Sequence, residues 1–232
     1  MSDAIDYGPG EHCLILGQTQ SGKSVIATTI AAGVDYGCSL VIVDSKGDPD
    51  AILPNCHLTR SASDVIRQLP GRVIWQPART LGARQLAADL DRICLRLLQL
   101  AERGRSAVLL IHELGDFADA HRYGSALRQV ITQGGKIAGG AELGGGHVGG
   151  IFVSQRPVNI PVIARSEMRH VICLALESAE DRATAAAMME DILFPVESRR
   201  AVASSSRPLD RTWWYRGPDH RLRQHAPVAP RR

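Results

Sequence analysis

The sequence predicts an α/β fold, a mainly parallel sheet with helices on both faces, and three observations carry that prediction. Short apolar runs typical of buried parallel strands alternate with longer amphipathic stretches. Several runs end in polar residues, as strands do where an open sheet places its ligand. A glycine-rich octapeptide joins the first run to the first helical stretch.

That octapeptide organises the rest. Gly17-Gln18-Thr19-Gln20-Ser21-Gly22-Lys23-Ser24 follows Cys13-Leu14-Ile15-Leu16 and precedes Val25-Ile26-Ala27-Thr28. It fits G-x-x-x-x-G-K-[ST] in full, with the strand before and the helix after that the motif requires. Gly17 and Gly22 let the backbone curl so that successive N–H groups point inward at phosphate oxygens, and the helix that follows turns its positive dipole end toward them. Lys23 is placed to reach the β- and γ-phosphates, and Ser24 to offer its hydroxyl to Mg²⁺. The expected nucleotide-binding set is therefore Gly17, Gln18, Thr19, Gln20, Ser21, Gly22, Lys23, Ser24 and, at the helix start, Val25. Its ligands are ATP and Mg²⁺.

The remaining elements follow in order. Ser39 to Asp44 reads as a buried parallel strand ending in the polar run Asp44-Ser45-Lys46-Gly47-Asp48. A short strand is expected near His57-Leu58-Thr59, a capped helix from Ser61 to Leu69, and a strand from Arg72 to Gln76. Ala83 to Arg103 carries Leu86, Leu90, Ile93, Leu97, Leu98 and Leu100 at near-helical spacing, a long amphipathic packing helix. Ser106 to Glu113 is a strand with a polar end. In P-loop ATPases the strand beside the P-loop strand usually ends in Asp-Glu, where the Asp holds the Mg²⁺ water shell and the Glu polarises the attacking water. Glu113 fits the second role; His112 departs from the first. A neutral imidazole can hold a metal-bound water but brings no negative charge, so another acid, Asp44, is a candidate to compensate.

Tyr123 to Ile137 reads as a helix. From Gly134 to Gly150 the chain has nine glycines in 17 positions, too many for a stable helix, and is read either as a mobile loop at the ligand edge or as a linker. Gly150 to Gln155 is another buried strand, and an amide at its end, Gln155, can hydrogen-bond a γ-phosphate or the lytic water. Arg169 to Leu176 is a further strand and Ala179 to Leu193 an alanine-rich packing helix. Arg211-Thr212-Trp213-Trp214-Tyr215-Arg216 is either an edge strand that buries one tryptophan or a base-stacking patch.

At 232 residues with 44% hydrophobic and 22% charged residues, the chain suits one soluble α/β domain. The expected division is 1–206 as the P-loop domain and 207–232 as a basic strand and tail, with Pro227 to Arg232 disordered. Seven arginines from Arg207 onward face only Asp210 and Asp219, so this segment holds more than the whole net charge of +3. It can track a phosphate backbone or an acidic partner, or serve only as a solubilising end. Five cysteines without a C-x-x-C pair point to reduced thiols rather than zinc. An acidic amino end without an apolar core and the lack of a membrane-length apolar run give neither a signal peptide nor a transmembrane segment. The expected location is the cytoplasm.

Taken together, Val43-Asp44-Ser45-Lys46-Gly47, Leu110-Ile111-His112-Glu113, Thr132-Gln133-Gly134 and Ser154-Gln155-Arg156-Pro157 resemble the FtsK/HerA superfamily of DNA-pumping ATPases. The match runs from about Cys13 to about Leu176. In its small size the chain is similar to the genome-packaging ATPases of tailless internal-membrane phages and related archaeal viruses. The resemblance implies a RecA-like, additional-strand, catalytic-glutamate P-loop NTPase. It also implies a homo-oligomeric ring, commonly a hexamer, with ATP between neighbours and double-stranded DNA in the channel. Lys23 and Ser24 would then bind phosphate and metal, Glu113 would activate water and Gln155 would sense the γ-phosphate. The family often carries Gln-Gly-Arg-Lys before the sensor strand, where this chain has Gln133-Gly134-Gly135-Lys136. Arg156, Arg128, Lys136 and Arg169 are the candidates to reach a neighbour's nucleotide instead.

The leading functional expectation is an ATP-driven, sequence-independent double-stranded DNA translocase that packages a viral genome, with capsid or viral membrane proteins at a portal vertex as further partners. The alternatives are a conjugative or HerA-like translocase, and a slow ATP-binding switch or assembly factor, which His112 and the missing arginine favour.

Overall fold

The computed structural model describes residues 5, 7–8, 10–117, 123–136, 145–189 and 213–225, and its strands pair in an order far from their order along the chain. The elements are β1 (His12–Leu16), α1 (Lys23–Ala32), β2 (Ser39–Val43), β3 (His57–Thr59), α2 (Ala62–Gln68), β4 (Arg72–Trp75), α3 (Ala83–Glu102), β5 (Ala107–Ile111), α4 (Ser125–Gln133), β6 (Val148–Ser154), α5 (Val162–Ser166), β7 (His170–Cys173), α6 (Ala179–Met189), β8 (Trp213–Arg216) and β9 (Leu222–His225). They build one mixed sheet, β3-β4-β2-β5-β6-β1-β7-β8-β9. Pairing is parallel from β3 across to β7 and antiparallel for β7-β8-β9. The α/β P-loop fold class expected from the sequence is the one found.

Strand order decides which face each helix covers. From β1 to β2 the chain crosses the sheet in one direction, carrying α1. From β3 through β4, β5 and β6 to β7 it moves in the other, carrying α2, α3, α4 and α5. Right-handed crossovers therefore place α1 on one face and the later helices on the opposite one. The core divides accordingly, because alternate strand residues point to opposite faces. Leu14, Leu16, Val41, Val43, Leu109 and Ile111 pack with Leu90, Ile93 and Leu97 of α3. Cys13, Ile15, Leu40, Ile42, Val108 and Leu110 pack with Ile26, Ala27 and Ala31 of α1. At about 25 cal/mol per Å² of apolar area removed from water, such two-sided burial is the dominant stabilising contribution.

Several local expectations hold for identifiable reasons. Ser61 caps α2 by accepting from Asp64 N at 3.3 Å, the capping chemistry that serine at that position provides. In α3 Leu90, Ile93, Leu97, Leu98 and Leu100 are all buried, as their spacing requires. The expected helix after Ala179 is seen to Met189; its continuation to Leu193 lies outside the described residues.

Two expectations are corrected. The described ends of the glycine-rich stretch after α4 lie away from the ligand edge. Gly134–Lys136 forms a 3-10 turn, residues 137–144 lie outside the described residues, and Gly149 and Gly150 belong to buried β6. His147 Nδ1 sits 3.1 Å from Gly135 O, and Ala107 N donates to His147 O at 2.7 Å, at the amino-terminal edge of the sheet. A chain leaving a helix must enter the next parallel strand at its amino end, opposite the edge where parallel strands place ligands. Nor does the tryptophan-rich segment form an edge: β8 joins β7, and β9 covers it. Trp213 and Tyr215 are buried, and Trp213 stacks on His225 with ring centroids 4.1 Å apart, so these two rings pack the fold rather than offer stacking faces. Pro227 to Arg232, expected to be disordered, lie outside the described residues.

Candidate nucleotide site

The octapeptide forms the turn between β1 and α1 that its glycines permit. A Cβ on Gly17 would stand 2.6 Å from Ser21 Oγ and 3.0 Å from Leu174 Cβ, so only glycine lets the loop close there. Gly22, at φ 101°, takes the left-handed conformation that caps α1 without a side chain. Gly17 N donates to Ser154 O at 3.2 Å and Gln18 N to Ala175 O at 2.8 Å, so the loop is fastened to the strands on both sides, β6 and β7. Val25, the third residue of α1, is buried beneath it.

Parallel register brings the other polar strand ends to the same edge. Leu16 of β1 lies level with Ser154 of β6, and Ile111 of β5 with Phe152. The strand next to β1 is therefore β6, which ends at Gln155. The strand ending in His112-Glu113 is one place further out. This corrects the expectation that Glu113 sits on the strand beside the P-loop, and β6 is the additional strand. The connections from β1 and β6 leave toward opposite faces, so the crevice between them is a topological switch point, where open α/β sheets bind ligands. Thr19 Oγ1 donates to Gln155 Oε1 at 2.9 Å across it.

Glu113 is buried, with Oε1 3.4 Å from Gln155 N and Oε2 3.2 Å from Lys46 Nζ. Lys23 is only 7% exposed and donates to Gln18 O at 2.5 Å. Burial pulls its pKa down to about 8; Glu113 and Asp48 oppose that fall and Lys46 adds to it. A shift of this size corresponds to about 3 kcal/mol held against the charged ammonium, which a bound phosphate would return.

The metal side differs from expectation. Asp44 is buried and already engaged: Oδ1 accepts from Lys46 N at 3.2 Å and Gly47 N at 2.9 Å, and Oδ2 from Gln76 Nε2 at 2.9 Å. It shapes the turn after β2. The carboxylate at Ser24 is Asp48, whose Oδ2 accepts from Ser24 Oγ at 2.6 Å. His112 is 8% exposed, and neither ring nitrogen has a hydrogen-bond partner among the described residues. Burial lowers its pKa against the pull of Asp44, Asp48 and Asp50, which favours the neutral ring. A serine hydroxyl beside a carboxylate on the phosphate loop suits a hard, oxygen-seeking cation such as Mg²⁺.

Of the four candidates for acting on a neighbour, Arg156 Nε pairs with Asp181 Oδ2 at 2.9 Å and Arg169 Nη1 with Glu11 Oε1 at 3.0 Å. Arg128 is exposed on α4, and the side chain of Lys136 lies outside the described residues. Sequence reasoning missed Lys46 and Asp48. Their signal was the polar run after β2, recognised as a ligand edge but not divided into roles.

No family model matches the chain, and no curated protein matches it in sequence. Solved structures do. The genome-packaging NTPase B204 of Sulfolobus turreted icosahedral virus 2, in complex with sulfate, superposes with a TM-score of 0.66 at 13% identity, covering 97% of this chain and 100% of that one. Its complex with ATP-gammaS gives 0.63 at 14% identity over 96% of this chain and all of that one. The pCW3 conjugation coupling protein TcpA, in monomer form with ATPgS, gives 0.52 at 16% identity, covering 91% of this chain and 58% of that chain. Across nearly its entire length, the chain has the P-loop NTPase fold of these proteins.

Proposed function

We propose that this protein is an ATPase that drives translocation of double-stranded DNA, and that it packages a viral genome. The observation that carries the reading is the convergence of Lys23, Ser24, Glu113 and Gln155 on one sheet edge, with the additional strand β6 between the P-loop strand and the glutamate strand. The packaging assignment is supported by likeness to B204 over 97% of this chain and 100% of that one.

Each residue has a task. The loop amides and Lys23 hold the triphosphate, Ser24 faces its Mg²⁺, and Glu113 orients and accepts a proton from the attacking water. Gln155, hydrogen-bonded to the P-loop through Thr19 and to Glu113 through its backbone, couples the γ-phosphate position to the glutamate. Mg²⁺, held at the Ser24 hydroxyl, would supply charge neutralisation to the phosphates. A homo-oligomeric ring, a hexamer in this reading, supplies the neighbour's cation and a channel whose basic residues grip phosphates without reading bases. The resemblance to TcpA favours a second reading, a conjugative translocase, in which the same engine moves plasmid DNA.

ATP hydrolysis measured with double-stranded DNA of unrelated sequences is the test. The reading expects several-fold stimulation by every sequence, falling steeply between about 50 and 200 mM salt as phosphate contacts are screened. Tight ATP binding with no response to DNA would replace it with a nucleotide-dependent switch.

A further inference from the structure

The carboxylate at the metal-side hydroxyl is held there by its own local structure. Asp48 is the N-cap of the 3-10 turn Pro49–Ala51, and its Oδ1 accepts from Asp50 N at 3.0 Å. That turn is fastened to α1, where Thr28 Oγ1 donates to Asp50 O at 2.6 Å. With one oxygen committed to the cap, the other meets Ser24 Oγ at 2.6 Å. By accepting the hydrogen bond from the Ser24 hydroxyl, Asp48 leaves the oxygen lone pairs of Ser24 free to face a cation, and it adds the negative charge that the end of β5 lacks.

A second observation points to the same place. Where the strand-end aspartate is expected, the chain has His112, buried and with both ring nitrogens unpartnered among the described residues. Its electrostatic neighbours are Asp44, Asp48 and Asp50. Asp44 is spent on Lys46, Gly47 and Gln76, which leaves Asp48 as the carboxylate in contact with the phosphate loop.

We propose that Asp48 is the positioning residue for the nucleotide-bound divalent cation, orienting Ser24 and replacing from the β2 edge the carboxylate that His112 displaces from the β5 edge. This rests on the nucleotide reading of the octapeptide.

The test is calorimetric binding of ATP-gammaS with and without Mg²⁺, for the wild-type protein and for Asp48→Asn, which keeps an acceptor oxygen for the cap and removes both the charge and the acceptor that faces Ser24. Electron paramagnetic resonance of Mn²⁺ added to the nucleotide complex reads the metal directly. The wild type should bind more tightly with Mg²⁺. Asp48→Asn should lose roughly tenfold or more of that gain, and hold Mn²⁺ correspondingly weakly, with metal-free affinity and melting temperature little changed. An undiminished Mg²⁺ gain in Asp48→Asn would overturn the proposal and reduce Asp48 to a clip between the β2 loop and α1. A wild-type protein that binds no ATP-gammaS under either condition would instead overturn the nucleotide reading itself.

Discussion

Lys46 Nζ stands 3.2 Å from Glu113 Oε2, so the carboxylate assigned to water activation is held by a cation from the loop of the adjacent strand. The Lys46 side chain is about half exposed, and a pair of this kind is worth about 1 kcal/mol at most, a factor of about five in rate. Lys46→Met should therefore raise basal ATP hydrolysis by up to about fivefold while leaving the KM for ATP unchanged. A fall in basal kcat would mean that Lys46 positions Glu113 instead of restraining it.

Lys23 predicts a pH dependence of binding. Its pKa of about 8 in the free protein must rise when a phosphate neutralises its surroundings, so the bound state holds more protons than the free state above pH 8. Affinity for ATP should be flat below pH 7 as far as this group is concerned and fall as pH climbs above about 8. Calorimetry at pH 8.5 in buffers of different ionisation enthalpy should show proton uptake on binding; proton release would contradict the assignment. Without nucleotide the sign for folding is opposite. The unfolded chain binds more protons than the folded one between about 8 and 10.5, so this group's contribution to stability rises with pH across that window.

The Thr19–Gln155 hydrogen bond joins the octapeptide loop to the end of β6. Gln155→Ala should leave ATP binding within a few-fold of wild type and lower kcat by roughly tenfold or more, because a positioning contact to the reacting phosphate or water is lost. Equal losses in binding and turnover would make Gln155 an ordinary part of the binding surface.

The carboxyl-terminal hairpin of β8 and β9 has its own prediction. Trp213 is 1% exposed within the α1-side core, so Trp213→Ala should cost about 3–5 kcal/mol and lower the midpoint of a single urea transition. Two separated transitions in the wild-type protein would show that residues 213–225 form a unit apart from the sheet.

Much of this arrangement was legible in the sequence. Leu14 to Leu16 and Val41 to Val43 are apolar throughout because strands covered on both faces must be, and Ser61 announces its helix by its capping oxygen. The phosphate loop was legible because its glycines answer a backbone requirement that few other residues meet. Strand order was not, since β6 enters beside β1 although β2, β3, β4 and β5 all intervene in the chain, and hydrophobic runs carry no record of their neighbours. The roles within Asp44–Asp48 were hidden for a related reason. Asp44 and Asp48 are chemically identical in sequence, and only the fold decides that Asp44 accepts from Lys46, Gly47 and Gln76 while Asp48 meets Ser24.

Nucleotide identity in the purified complex tests the central claim most directly. Protein loaded with radiolabelled ATP and Mg²⁺, then separated from free nucleotide, should carry mainly ADP in the wild type and intact ATP in Glu113→Gln, whose turnover falls by roughly 100-fold or more, while Lys23→Ala should carry little of either. Glu113→Gln protein that converts its ATP to ADP at the wild-type rate would contradict the account.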